Sequence, residues 1–183
     1  MRDGTWSRGV SVDSHDFRQA MRCLAGAVTI VATRCGDVRS GLTATSVCSL
    51  SLTPPSLLAC VNLRGRTYRL IERSRCMSVN VLATRHEPLA RRFAGLVGDK
   101  DDDGFAYGDW REHATGAPLL NGCLASFDCR VDEMFVAHTH AIVIGVVTTA
   151  LTGVAEPPLL YLNGRFRTLE ALADESVHDR GRA

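Results

Sequence analysis

The sequence predicts a mainly β fold, a β-barrel with a few flanking helices, and three observations lead there. Runs rich in β-branched and apolar residues outnumber the segments with helical spacing. A hairpin signal comes early, and turn residues recur about every ten positions after it. No G-x-G-x-x-G follows the first strand-like run, so a doubly wound nucleotide-binding sheet is not indicated.

The 183 residues, 45% of them hydrophobic, suffice for one domain with its own core. We expect a leader over 1–12, a folded domain over 13–170 and a polar tail over 171–183. Ser14 reads as an N-cap for a helix with Phe17, Ala20, Met21 and Leu24 on one face and Gly26 as its stop. The run AVTIVATRC, the pair Gly36-Asp37 and the run VRSGLTAT read as an antiparallel hairpin. After Pro54-Pro55, LLACVNL reads as a buried strand, RTYRLIERS as a short helix, CMSVNVLA as a strand and EPLARRFAGLV as an amphipathic helix. The acidic, Gly-rich GDKDDDGFAYGDW reads as a surface loop. Two long strands with a turn or kink near Glu133 to Ala137 follow, and PLLYL leads as a last short strand into NGRFRTL.

A net charge of +1 gives no support for binding nucleic acid or an anionic membrane. No apolar run approaches the roughly 20 residues of a membrane span, and MRDGTWSRGVSVDSHDF lacks the apolar core of a signal peptide. A cytoplasmic protein is expected. The seven cysteines fit that compartment: the number is odd, no C-x-x-C occurs, and buried free thiols are the plain reading.

Chemistry is sought first in GLTATSVCSLSLTPP, Gly41 to Pro55. It carries six small hydroxyls (Thr43, Thr45, Ser46, Ser49, Ser51 and Thr53) and no charged side chain. An exposed loop would also be rich in Ser and Thr. The alternation in SVCSLSL, however, points to an extended, half-buried segment, which Pro54-Pro55 then ends. Such a segment can lay backbone N–H groups against a flat, hydrogen-bonding ligand. In VNLRGRTYRLIERS, Arg64, Arg66 and Thr67 stand at a helix start, which suits a phosphate. The alternative is a solvated basic face of Arg66, Arg69 and Arg73. In Ala137-His138-Thr139-His140-Ala141 the two imidazoles of an extended strand would point the same way. They would bind a metal only with further ligands, for which His86 and His113 are the candidates; a single functional imidazole or a plain strand-end pair are the other readings. Ser46 and Cys48 lack a neighbouring base and a G-x-S-x-G elbow, which argues against nucleophilic catalysis.

Together these elements resemble the flavin reductase family, small flavin-binding split-barrel proteins that partner two-component monooxygenases. Four stretches carry the resemblance: FRQAMRCLAGAVTIVAT, GLTATSVCSLSLTPPSLLACVN, FAGLVGDKDDDGFAYGDW, and HTHAIVIGVV followed by PLLYLNGRF. They span Asp16 to Leu169. The resemblance implies a split β-barrel, a six-stranded antiparallel Greek key with flanking helices, that forms a homodimer. It also implies hydride transfer from NADH or NADPH to FMN or FAD, with the reduced flavin passing to a separate monooxygenase. Carried over residue by residue, Thr43, Ala44, Thr45, Ser46, Cys48 and Ser49 would line the isoalloxazine, while Asn62, Arg66 and Thr67 would hold the ribityl phosphate. Asn80, Arg92 and Phe93 match a later flavin-contacting region. His140 matches a histidine beside the nicotinamide, and Tyr161 and Arg165 match the closing Y-x-x-G-R-F/Y element. His138-Thr139-His140 stands where the family often shows Gly-Asp-His, which leaves the choice between NADH and NADPH open. A flavin-binding electron carrier or sensor without turnover, and a metal-dependent barrel using His138 and His140, are the alternatives.

Overall fold

The structure, a computed structural model, describes residues 12–98, 104–153 and 155–169. Except for Val12, the expected leader and the polar tail lie outside the described residues.

Helix α1 (Ser14–Met21) is capped one position earlier than expected: the Asp13 carboxylate accepts the His15 N–H at 2.7 Å. A carboxylate both satisfies that donor and complements the helix dipole, so it outcompetes the neighbouring serine. Strands β1 (Gly26–Ala27), β2 (Thr29–Cys35) and β3 (Val38–Ala44) follow, with β2 and β3 joined at Gly36-Asp37 as the sequence predicts. Gly36 has φ of 60°, the left-handed conformation such a tight turn needs.

Strands β4 (Val47–Leu52) and β5 (Pro55–Asn62) form a second hairpin. The prolines thus turn the chain rather than ending a lone segment. Nor is β4 half-buried, because it is a sheet edge with Leu50 and Leu52 exposed. Helix α2 (Arg66–Ser74) has the bounds predicted, and its Leu70 and Ile71 are buried. Strand β6 (Cys76–Val81), a short 3-10 turn at Thr84–His86 and helix α3 (Glu87–Phe93) come next.

Strands β7 (Trp110–Glu112) and β8 (Pro118–Leu120) form a small pair. The segment read as surface loop contributes to the core: Phe105 is 4% exposed and meets Phe93 and Trp110 edge to face. Long strands β9 (Ala125–Ala137) and β10 (His140–Thr152) turn at His138-Thr139, later than expected. Strands β11 (Leu160–Leu162) and β12 (Arg165–Arg167) pair through Asn163-Gly164, and β11 also pairs with β1.

The main sheet has seven antiparallel strands in the order β3-β2-β6-β9-β10-β5-β4. That is one more than the resemblance implies. Its two edges, β3 and β4, are consecutive in the chain and joined only by Thr45 and Ser46. Edges so tethered must approach each other, so the sheet curls into a barrel that stays open at one seam. Val31, Val61, Ile71, Met77, Val79 and Val143 fill the interior, with α2 packed among them. A second core, Ile30, Leu82, Leu89, Ala90, Phe105 and Leu120, lies between the outer face of β2 and α3. Burial on both faces explains why β2 reads as a continuous apolar run; each such side chain contributes about 1.5–3 kcal/mol.

Three cysteines, Cys76, Cys123 and Cys129, are buried, while Cys23 and Cys48 are exposed. The buried-thiol expectation thus holds for only part of the set, because Cys23 follows a helix and Cys48 lies on an edge strand.

Candidate functional site

The open seam forms a cleft of about 590 Å³. One wall is β3 and the Thr45-Ser46 link; the other comprises Cys60, Asn62 and the start of α2, with Phe93 and His140 at the sides. Among the described residues no carboxylate lines it.

The β3 wall offers main chain. Cys35 pairs with Val38 across the tight hairpin, and in an antiparallel ladder hydrogen-bonded pairs alternate with open ones. By that alternation Gly41 and Thr43 direct N–H and C=O groups away from β2, toward the cleft they line. The Thr43 hydroxyl donates to the Ala90 carbonyl at 2.6 Å, and the Ser46 hydroxyl donates to the Cys60 carbonyl at 3.2 Å. These two hydroxyls fasten the wall, and the polar edge is supplied by backbone. The Cys60 N–H, donating to Ser46 at 3.0 Å, closes the seam's narrow end. Ala44 is buried, and its carbonyl accepts from Thr29 at 2.9 Å.

Phe93 is wedged between two glycines. A Cβ on Gly41 would lie 2.7 Å from Phe93 Cε1, and one on Gly104 would lie 2.9 Å from Cε2. Edge-to-face contacts with Phe105 at 5.0 Å and Trp110 at 5.6 Å hold the ring further. It is a fixed aromatic surface beside a polar backbone edge.

At the far end, α2 begins at Gly65, which provides no side-chain cap, and its first turn has no acidic residue. The leading N–H groups, the partial positive end of the helix and the exposed Arg66 form an anion-binding corner. The Asn62 side-chain oxygen accepts the Arg64 N–H at 2.9 Å, and its carbonyl accepts the Gly65 N–H at 3.1 Å, which shapes the approach. Thr67 is 3% exposed, and its hydroxyl shares a 2.9 Å hydrogen bond with Ser40, stitching α2 to β3.

His140 opens β10 directly opposite Asn62. Its Nδ1 shares a 2.8 Å hydrogen bond with the Thr139 hydroxyl, so Nε2 is the ring atom left for a ligand. His138 sits in the turn with φ of 54°. The two imidazoles therefore do not alternate along one strand, which removes the premise for a chelating pair. His86 is no third ligand, since its Nδ1 accepts the Ala83 N–H at 3.2 Å. His113 lines a different cavity. Among the described residues no group of three or more His, Cys, Asp or Glu is placed to hold a metal.

The cleft thus gathers Thr43, Ala44, Thr45, Ser46, Asn62, Arg66, Thr67, Phe93 and His140. Cys48 and Ser49 lie beyond it on edge strand β4. Asn80 is fully buried: its Nδ2 donates to Ile30 and Ser78, and its Oδ1 accepts from Leu120 and Ser126. That amide has no polar atom left for a ligand. Arg92 lies over Tyr107, 3.7 Å from the ring centroid, facing another cavity. Tyr161 lines a groove next to the cleft, and Arg165 belongs to the exposed β12. Ser40, Cys60 and Gly65 also line the site although sequence reasoning did not single them out. Ser40 was detectable as the next alternate residue before Leu42, but Cys60 required knowing that β5 pairs onto Ser46.

Walled by main chain and neutral side chains with one guanidinium at its end, the cleft suits a ligand that brings its own reactivity. A flat ring with a hydrogen-bonding edge fits beside β3 and Phe93, and a phosphate fits the α2 corner. A flavin nucleotide has both parts.

Comparison with known proteins agrees. Over 158 residues the chain is 39% identical to an FMN reductase (NADH) RutF of Bradyrhizobium diazoefficiens, covering 86% of this chain and 87% of that protein. The NADH:FAD oxidoreductase SgcE6 of Streptomyces globisporus, solved with NAD and FAD fragments, superposes with a TM-score of 0.80 at 32% identity, covering 91% of this chain and 100% of that one. A homologue of nitrilotriacetate monooxygenase component B from Mycobacterium thermoresistibile gives a TM-score of 0.80 at 28% identity, covering 93% and 96%. Residues 21–170 match the family described as the flavin reductase like domain, and the chain belongs to that family.

Proposed function

We propose that this chain is an NAD(P)H:flavin oxidoreductase that passes hydride to FMN or FAD and supplies the reduced flavin to a separate monooxygenase. The observation that carries this reading is the cleft between β3 on one side and the end of β5 with the start of α2 on the other, ring-sized, with a main-chain edge, a fixed aromatic side and a cationic end. The bound flavin and the nicotinamide supply the redox chemistry. The chain's residues bind and orient. Gly41 and Thr43 address the ring edge through their backbones, and Phe93 borders it. Arg66 and the first N–H groups of α2 hold the phosphate. His140, on the rim opposite Asn62, directs Nε2 at the incoming nicotinamide and sets its approach. Neutral hydrogen bonds contribute a net of only about 1 kcal/mol each, so an uncharged wall both grips the ring and lets it leave. That property suits a reductase whose product must depart better than it suits a permanent electron carrier.

A homodimer accompanies this reading. Phe17, Met21 and Leu24 after and along α1, Leu50 and Leu52 on β4, and Phe135 and Val136 on β9 are exposed in the single chain, as surfaces that meet a second copy would be. Among the described residues no helix is long and apolar enough to cross a membrane, and we place the protein in the cytoplasm.

The deciding experiment crosses NADH and NADPH with FMN, FAD and riboflavin, following nicotinamide oxidation by absorbance. Turnover with at least one pair is expected. A chain that binds flavin but oxidises neither nucleotide is a carrier or sensor instead.

A further inference from the structure

Helix α2 and its flanks concentrate charge in a chain that is nearly neutral. Arg64 to Arg75 holds five arginines, Arg64, Arg66, Arg69, Arg73 and Arg75, against the single carboxylate of Glu72, whereas the whole chain nets +1. All five are exposed. Among the described residues none of them is in an ion pair. The Glu72 carboxylate instead accepts the Tyr68 hydroxyl at 2.8 Å.

Helical spacing sorts these charges. At about 100° per residue, Arg66, Arg69 and Arg73 fall within about 60° of one another, Tyr68 and Glu72 take the neighbouring flank, and Thr67, Leu70 and Ile71 are buried. The stripe starts at the anion-binding corner, where Arg66 lines the cleft, and runs about 10 Å along the outside of α2. Arg69 and Arg73 themselves lie outside the cleft lining. Helix stability accounts for only part of this pattern. Arg73 in the last turn complements the helix dipole, but Arg66 in the first turn opposes it and Arg69 in the middle gains nothing from it. Arg69 Nη1 reaches the Arg64 carbonyl at 3.4 Å, a contact that leaves its charge unopposed by a carboxylate. Cations so aligned sum to a positive potential that reaches about 10 Å into solvent at about 0.1 M salt.

We propose that Arg69 and Arg73 steer phosphorylated flavin to the cleft: the stripe attracts the phosphate from solution and guides it along α2 to Arg66, raising the rate of capture without touching the bound ligand. The proposal rests on the flavin-reductase reading. The phosphate then acts in arrival as well as in holding, so FMN and FAD are selected over riboflavin partly through association rate. A reductase that releases its flavin must capture the next one, and steering speeds that step while a tighter contact would slow release.

The test follows FMN association and dissociation by stopped-flow fluorescence quenching in the full-length protein, R69Q/R73Q and R69K/R73K, with riboflavin as the probe that lacks the phosphate. At low salt the FMN association rate should fall about fivefold in R69Q/R73Q and stay within about twofold in R69K/R73K, which keeps the charge. FMN dissociation and riboflavin association should both stay within about twofold in the two variants, and the wild-type advantage should vanish near about 0.5 M salt. Circular dichroism checks folding, and the wild type alone provides a second arm: its FMN association should drop steeply with salt while that of riboflavin stays level. An unchanged FMN association rate in R69Q/R73Q overturns the proposal, as does a salt-independent FMN rate in the wild type. A loss shared by riboflavin, or one that persists at high salt, overturns it too, because either marks a structural or contact role. FMN captured as expected but with neither NADH nor NADPH oxidised would overturn the flavin-reductase reading and leave the steering standing; a wild type that binds no FMN overturns both.

Discussion

At the scale of single residues, the cleft depends on where side chains are absent as much as on where they are present. Gly41 lets Phe93 lie against β3, and an added Cβ 2.7 Å from the ring must displace it. Gly41→Ala is expected to weaken flavin binding about tenfold, measured by fluorescence quenching, with a much smaller loss at the exposed Gly36→Ala. Arg66→Ala should weaken FMN by roughly 1.5–3 kcal/mol, one to two decades, if the guanidinium pairs with phosphate; unchanged affinity would return Arg66 to solvent. His140→Ala should raise the KM for NAD(P)H more than that for flavin, and equal effects would remove it from the nicotinamide side. Much of this site was legible in the sequence, because short polar residues without charge and an Arg-Thr helix start are local signals. The commitments of the Asn80 amide were not, since its four partners come from β2, β6, β8 and β9.

At the scale of elements, α3 carries Phe93 and is entered through the turn at Thr84–His86, which contains a titratable part. The His86 ring accepts the Ala83 N–H, and burial, then the Arg85 guanidinium, pushes its pKa below the usual 6.5, with Glu156 opposing. A folded-state pKa below the unfolded one means that the fold favours the neutral ring. Its contribution is complete above about pH 6.5 and is lost as pH falls through the folded value. Thermal midpoints should therefore hold from pH 8 to 7 and decline below about 6.5, and His86→Gln should flatten that decline; an identical decline in the variant would exclude His86 as the cause. Elements with strong local signatures were legible: α2 by its apolar spacing, and the β2–β3 hairpin by Gly36-Asp37. Strand β4 was misread because alternation of serine and leucine looks the same on a half-buried strand and on an open edge. Phe105 was assigned to solvent because the charges before it dominate the local composition, whereas its burial depends on Phe93 and Trp110 from elsewhere in the chain. The His138-Thr139 turn carries none of the usual Gly, Pro, Asn or Asp markers.

At the scale of the whole molecule, the surface and the interior make separate predictions. If the exposed apolar positions meet a second copy, the 19.8 kDa chain should run at about twice that mass in light scattering, and Leu50→Asp with Leu52→Asp should halve it. A monomeric wild type would refute the dimer. Burial holds the Cys129 thiol up at about 12, with the Asp128 charge adding, and burial raises Cys123 as well. Ellman's reagent should thus label Cys23 quickly and reach Cys76, Cys123 and Cys129 only on unfolding. The strand order has a consequence for synthesis. The β2–β3 and β4–β5 hairpins emerge early from the ribosome, yet β6, β9 and β10 must all come between them. Until Thr152 has left the exit tunnel the nascent chain has two hairpins and no centre to join them. Closure of the sheet therefore waits on pairing between strands far apart in the chain, and slow folding is the expected result.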